Sequence, residues 1–216
     1  MAYAYEDMKR PDILRMVPPD GRVIGSIGCG TGATEEPLVQ EGREVHGVDI
    51  SPEAVEIASK RLTTMRLVQS GDYHPFADHS LDGLILADVI EHIPQAWDAL
   101  REFVRAVKPG GWVVISVPNM RNYYGLQEFF IGGDWPEKSA GIFDRTHLQV
   151  MSIKRLNRWC AAAGMRVEKW FDKYDPYGPR RYRFFRTLDL ATLRLFRSWL
   201  MFQLQVRCRV EPAPSK

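Results

Sequence analysis

The run Gly28-Cys29-Gly30-Thr31-Gly32 stands between a short apolar stretch, Val23 to Ile27, and a helix-like one, Thr34 to Glu41. Glycines at the close of a strand let the backbone turn tightly and approach a ligand that side chains would exclude. The same alternation continues downstream. Glu44 to Asp49 reads as a second strand, and Ser51-Pro52-Glu53 opens a helix, with serine as cap and proline in its first turn. Arg66 to Ser70 reads as a short third strand, Leu81 to Ala87 as a fourth and Trp112 to Val117 as a fifth. Between the last two, Pro94 to Val107 has helical spacing of Ala96, Leu100, Phe103, Val104 and Val107, and Lys108-Pro109-Gly110-Gly111 stops it. Ser152 to Gly164 is a further helix, Arg166 to Asp172 a sixth strand and Gln203 to Val210 a seventh. Strands alternating with helices predict an α/β fold, a mainly parallel sheet with helices on both faces.

With 216 residues the chain has the size of one domain, taken as 1–216. No apolar run approaches the roughly 20 residues that span a bilayer. The N-terminus carries Glu6 and Asp7 and lacks an apolar signal core, so a cytoplasmic location is expected. Cys29, Cys160 and Cys208 are scattered without metal-ligand spacing and fit a reducing compartment. A net charge of +2 selects no partner.

Two segments break the alternation. From Pro118 to Asp144 the chain is irregular and rich in aromatics: Tyr123, Tyr124, Phe129, Phe130, Trp135 and Phe143. It reads equally as an acceptor-side lid (118–147) or as a satellite core under a long loop. The other, 176–198, carries Arg180, Arg181, Arg183, Arg186, Arg194 and Arg197 among apolar residues. Such a helical insertion suits nucleic acid, an anionic membrane or another subunit, or else is a solvated face with its apolar side packed on the sheet.

The glycine run also fits a dinucleotide-binding loop, and Asp49 at the end of the next strand suits the ribose of NAD as well as that of S-adenosylmethionine. What separates them is the set that follows in order: Val48-Asp49-Ile50-Ser51, Gly71-Asp72-Tyr73, Asp88-Val89-Ile90-Glu91-His92 and Val107-Lys108-Pro109-Gly110-Gly111. From Arg22 to Val167 this series resembles the successive motifs of class I S-adenosylmethionine-dependent methyltransferases. The resemblance implies a Rossmann-like seven-stranded sheet with an antiparallel last strand. It also implies that Gly28, Gly30 and Gly32 line the methionine and ribose portion, that Asp49 binds the ribose, that Ile50 packs on adenine and that Asp72 binds the adenine amine. Tyr73 and Asp88 belong with the same cofactor-binding group. Two residues before the first glycine, where the family usually has an acid, this chain has Ser26. Cys29 reads as a small residue in a tight turn, since no base stands beside it.

A methyl acceptor must lie in line with the sulfonium, and an alcohol acceptor also needs help to lose its proton. Asp88, Glu91 and His92, together with His147 in Asp144-Arg145-Thr146-His147, are the candidates. The pattern resembles metal-dependent O-methyltransferases of the ubiquinone-biosynthesis type (acid-x-x-Glu-His) and of the small-RNA 2′-hydroxyl type, which adds a distant histidine. Glutamate is usual at the first acid, and Asp88 is one methylene shorter. On this resemblance Asp88, Glu91, His92 and His147 would converge on Mg²⁺ or Mn²⁺, with Glu91, His92 and His147 catalytic. Two imidazoles tilt the set toward ions softer than Mg²⁺. Without a metal, His147 is a base or a satisfied structural histidine.

The chain has the general look of small actinobacterial sugar methyltransferases, such as those of methylmannose polysaccharide synthesis, which implies a sugar-hydroxyl acceptor on a small molecule or oligosaccharide. A quinone or other aromatic hydroxyl is the alternative, then an RNA ribose. From another class, a cofactor-binding protein without catalysis is also weighed. A homodimer is among the expected assemblies.

Overall fold

The computed structural model describes residues 7, 9–174 and 178–212. Its elements run α1 (Pro11–Leu14), β1 (Val23–Ile27), α2 (Glu36–Gln40), β2 (Glu44–Asp49), α3 (Pro52–Ala58), β3 (Thr64–Leu67) and β4 (Leu81–Ala87). A 3-10 turn at Ile90–His92 follows, then α4 (Ala96–Arg105), β5 (Val107–Pro118), α5 (Tyr123–Phe130) and α6 (Ile153–Ala162). The chain closes with β6 (Met165–Lys173), α7 (Pro179–Ala191), α8 (Arg197–Leu200) and β7 (Gln203–Val210).

The strands form one sheet of seven in the order β3-β2-β1-β4-β5-β7-β6. β3, β2, β1, β4 and β5 are parallel, and β7 runs antiparallel to both β5 and β6. Successive side chains of a strand point to opposite faces. Leu84, Leu86, Val113 and Ile115 therefore meet Leu100, Phe103 and Trp159 on one face. Ile85, Trp112 and Val114 join Ile13, Leu38 and Ala58 on the other. With both faces covered, central strands need apolar residues at nearly every position, which is why they read as continuous runs.

Gly83 opposes Trp112 across β4 and β5. A Cβ there would stand 2.1 Å from the indole ring. The fully buried indole N–H donates to the Asp20 carbonyl at 2.9 Å, so the ring cannot swing away without losing that bond. Gly83→Ala is expected to cost ~1–3 kcal/mol by overpacking. Urea unfolding should show a lower midpoint with an unchanged slope.

Local differences from the sequence expectations have local causes. β3 is Thr64–Leu67 and not Arg66 to Ser70, because it is an edge strand with mostly exposed side chains and no burial period to mark its register. α2 is shorter than Thr34 to Glu41. β5 begins at Val107, which pairs with Leu81 ahead of a register shift, so the Lys-Pro-Gly-Gly run lies inside the strand. The aromatic segment contains α5, capped by Asn122, whose side chain accepts from the Tyr124 amide at 3.1 Å. Met120, Ile142 and Phe143 of that segment are buried together, while Phe129 and Phe130 are exposed. The basic segment forms α7 and α8, with residues 176–177 outside the described range.

From β1 the sheet grows one way through β2 and the other way through β4. The crevice at the carboxyl ends of β1 and β4 is thus the place where an open α/β sheet binds ligands.

Candidate active site

The glycine loop leaves β1 at that crevice. Gly28, Gly30 and Gly32 all have positive φ (64°, 54° and 71°), a conformation that other residues adopt only with strain. A Cβ on Gly28 would also meet the Val89 side chain at 2.7 Å. Asp49, buried at the end of β2, accepts from the Gly30 amide at 2.8 Å and the Ser51 amide at 2.9 Å. The carboxylate thereby joins the loop to the start of α3. Ile50 beside it is exposed at the rim. Asp72 is exposed and accepts from the His74 amide at 3.1 Å. Tyr73 stacks edge-on against Phe103, and its hydroxyl meets Gln95 at 3.4 Å, so its ring is engaged with α4. Burial, then the charges of Glu35 and Asp49, pushes the Cys29 thiol far up, which makes it a poor nucleophile.

Ser26 does not stand alone. Its hydroxyl donates to Glu35 Oε1 at 2.8 Å, and the other oxygen of this buried carboxylate has no hydrogen-bond partner. Burial pushes the Glu35 carboxyl up to about 7 against the pull of Ser26. The sequence reading passed over Glu35. Its signal was an acid at the entrance of the first helix in a chain with serine at position 26.

At the end of β4, Asp88 has φ 56° and its amide donates to the Ser116 carbonyl at 2.8 Å. Its carboxylate is ion-paired with Arg10 and accepts from Gln203 Nε2 at 2.9 Å and Ser116 Oγ at 3.3 Å. Arg10, also bound to Asp12 at 2.9 Å, is a second residue that sequence reasoning missed. Glu91 follows in the 3-10 turn, fully buried, with neither carboxylate oxygen hydrogen-bonded. Burial first, then the Asp88 charge, raises its carboxyl well above the ordinary range. The Glu91 carbonyl accepts from the Leu148 and Gln149 amides at 2.8 and 3.2 Å, which docks the distant segment here.

That docking sets the His92 and His147 rings 4.8 Å apart, and donor atoms of Glu91, His92 and His147 lie within 4.8 Å of one another. Four residues were expected to converge. The structure brings three together and leaves Asp88 outside the group, because Arg10, Gln203 and Ser116 hold its carboxylate. His92 Nδ1 lies 3.3 Å from the Thr146 carbonyl and 3.0 Å from Thr146 Oγ1, whose own proton goes to Asp144 at 2.6 Å. Both are acceptors, so Nδ1 carries the proton and Nε2 keeps its lone pair. His147 Nδ1 faces the Ile142 carbonyl at 3.4 Å, with the same consequence. Burial and the neighbouring His147 hold the His92 pKa below its ordinary value. One carboxylate and two imidazole lone pairs are thus gathered with no hydrogen bond to the carboxylate.

Comparison with known proteins agrees with this geometry. Residues 26–115 match the family model described as a methyltransferase domain. An uncharacterized methyltransferase of Mycobacterium leprae is 29% identical over 178 residues, 74% of this chain and 64% of the relative. A ubiquinone biosynthesis O-methyltransferase of Leptothrix cholodnii is 24% identical over 206 residues, 90% of this chain and 80% of the relative. In sequence and in fold the chain is similar to S-adenosylmethionine-dependent methyltransferases. It spans just under two thirds of the length of the Mycobacterium leprae relatives. In fold, the chain superposes on a SAM-dependent methyltransferase of Archaeoglobus fulgidus with TM-score 0.63 at 21% identity, covering 87% of this chain and 86% of that one.

The residues present fit S-adenosylmethionine. The left-handed glycines keep the loop backbone against Asp49, whose buried carboxylate holds the Gly30 amide. The orphaned oxygen of Glu35 answers the departure at Ser26 with another acid close by.

Proposed function

We propose that this chain transfers a methyl group from S-adenosylmethionine to a hydroxyl oxygen, with Glu91, His92 and His147 on the acceptor side. The observation that carries the reading is the meeting of these three side chains beside the β1–β4 crevice, although His92 and the Thr146 it bonds are 54 positions apart. Gly28, Gly30 and Gly32 admit the methionine and ribose portion, Asp49 takes the ribose hydroxyls, Ile50 covers adenine and Asp72 meets its amine. In the reaction the acceptor oxygen bonds to the methyl carbon as the sulfur–methyl bond breaks, which leaves a neutral thioether. The hydroxyl proton passes to an imidazole Nε2, and proximity supplies much of the remaining rate.

The donor set also fits a divalent cation. Glu91, His92 and His147 would hold it, and two imidazoles beside one carboxylate suit Mn²⁺ better than Mg²⁺. Bound there, it would lower the acceptor hydroxyl's pKa and fix its orientation. Asp88 serves by fixing Arg10 and the end of β4.

For the acceptor, the relatives that act in ubiquinone biosynthesis favour a phenolic hydroxyl. The sugar hydroxyl expected from the overall look of the sequence is the second reading. Release of S-adenosylhomocysteine across a panel of catechols, quinols, hexoses and short oligosaccharides tests both. Turnover of phenols alone supports the first, turnover of sugars alone the second, and release with neither class overturns O-methylation of both.

A further inference from the structure

We propose that the surface formed by α5, α7 and residues 192–200 docks on an anionic lipid bilayer. Among the described residues no helix is long and apolar enough to cross a membrane. This face nevertheless presents Phe130, Ile131, Leu193 and Leu195 at 75%, 82%, 85% and 78% exposure. Apolar patches of this kind on a soluble domain mark interaction sites. The parts are physically joined. Tyr123 of α5 stacks on Phe185 of α7 at 5.2 Å, and Arg181 donates to the Tyr123 hydroxyl at 2.9 Å. Trp199 closes an open groove of about 380 Å³ with Tyr123, Leu126, Phe130 and Ile131. Leu193 and Arg194 both have positive φ, so the turn holds an aliphatic tip outward in a conformation leucine rarely adopts.

Charge selects the occupant. Residues 178–200 contain six arginines and a single acid, Asp189, which is fully buried and bonded to the Tyr174 hydroxyl at 2.7 Å. Arg194 and Arg197 face Asp172, while Arg180, Arg183 and Arg186 are exposed on α7. A second copy of so basic a face would meet like charge. Nucleic acid gains from arginines and aromatic rings, but nothing from isoleucine and leucine tips. An anionic bilayer satisfies both, with guanidiniums at the phosphates and aliphatic tips in the acyl boundary.

Co-sedimentation with vesicles of phosphatidylcholine, with and without phosphatidylglycerol, tests the proposal. Binding is expected only to the anionic vesicles, weakening with salt. Arg183→Glu with Arg186→Glu should lower it at least about tenfold. Leu193→Glu with Leu195→Glu should abolish it, with melting temperatures unchanged because these side chains are exposed. No binding to anionic vesicles, or equal binding to both kinds, overturns the proposal. So does a dimer in sedimentation analysis that Leu193→Glu disperses, or RNA binding that the arginine variants abolish, when either occurs without vesicle binding.

A different observation carries a second inference, which rests on the cofactor reading above. We infer that Glu35 takes the ammonium group of the cofactor's amino-acid end. It is a buried carboxylate with one oxygen held by Ser26, two residues before Gly28, and the other unpartnered. S-Adenosylhomocysteine carries that ammonium and 5′-methylthioadenosine lacks it. Calorimetry should show Glu35→Gln binding the former at least about tenfold more weakly, with the latter unaffected. Because burial holds this carboxyl at about 7, binding of S-adenosylhomocysteine near neutral pH should also release a proton in the native chain and none in Glu35→Gln. Equal weakening for both ligands, or unchanged affinity for both, overturns the role of Glu35. Failure of the native chain to bind either ligand overturns the cofactor reading itself.

Discussion

Replacing His147 with alanine is expected to lower turnover by on the order of 10²-fold or more while leaving cofactor affinity nearly unchanged. His147 meets the site through tertiary docking, its ring 4.8 Å from that of His92. Its loss should therefore appear in kcat for the methyl acceptor and not in the binding of S-adenosylhomocysteine. A chelator separates the two ways in which the residue would act. If EDTA abolishes turnover and Mn²⁺ restores it, the three donors hold a cation, and Glu91→Gln should abolish the Mn²⁺ response. Loss of activity in His147→Ala with full activity in EDTA leaves a histidine base without a metal. Full activity in both tests makes the cluster structural and catalysis a matter of proximity alone.

Asp49→Ala is expected to weaken S-adenosylhomocysteine binding by about 1.5–3 kcal/mol, the worth of a charge-assisted acceptor of ribose hydroxyls. The carboxylate has a second duty. Its oxygens hold the amides of Gly30 and Ser51, so alanine leaves both without that partner and loosens the glycine loop. Asp49→Asn keeps one acceptor oxygen and should lose less. NAD should not bind the native chain at comparable affinity. Calorimetry that finds tight NAD binding, or unchanged affinity in Asp49→Ala, would overturn the placement of the cofactor at this loop.

The central strands were legible because burial on both faces demands apolar residues throughout. The sequence reading of Val23–Ile27, Glu44–Asp49, Leu81–Ala87 and Gln203–Val210 agrees with the observed β1, β2, β4 and β7. Ser51 was legible as a cap for a similar reason, since capping is a contact over three residues, here from the Ala54 amide at 3.3 Å. β3 was not, because an exposed edge strand takes its register from β2 and not from its own pattern. α5 was hidden as well, for aromatic side chains signal packing whatever the backbone does.

Within the candidate site, the glycine loop, Asp49 and the Asp88-to-His92 series could be read in one dimension, because each is a short run at a strand end. What the residues do to one another could not. Asp88 resembled a ligand until Arg10, 78 positions away, was seen to occupy its carboxylate. Ser26 looked like a gap until Glu35 was found bonded to it. The sequence by itself determined the strands of the sheet's centre and the short motifs at their ends, since these follow from local pattern. Only the tertiary structure decided that Glu91 is buried without a hydrogen bond beside two imidazoles. That outcome depends on the Glu91 carbonyl capturing the amides of Leu148 and Gln149, a contact that no local spacing encodes.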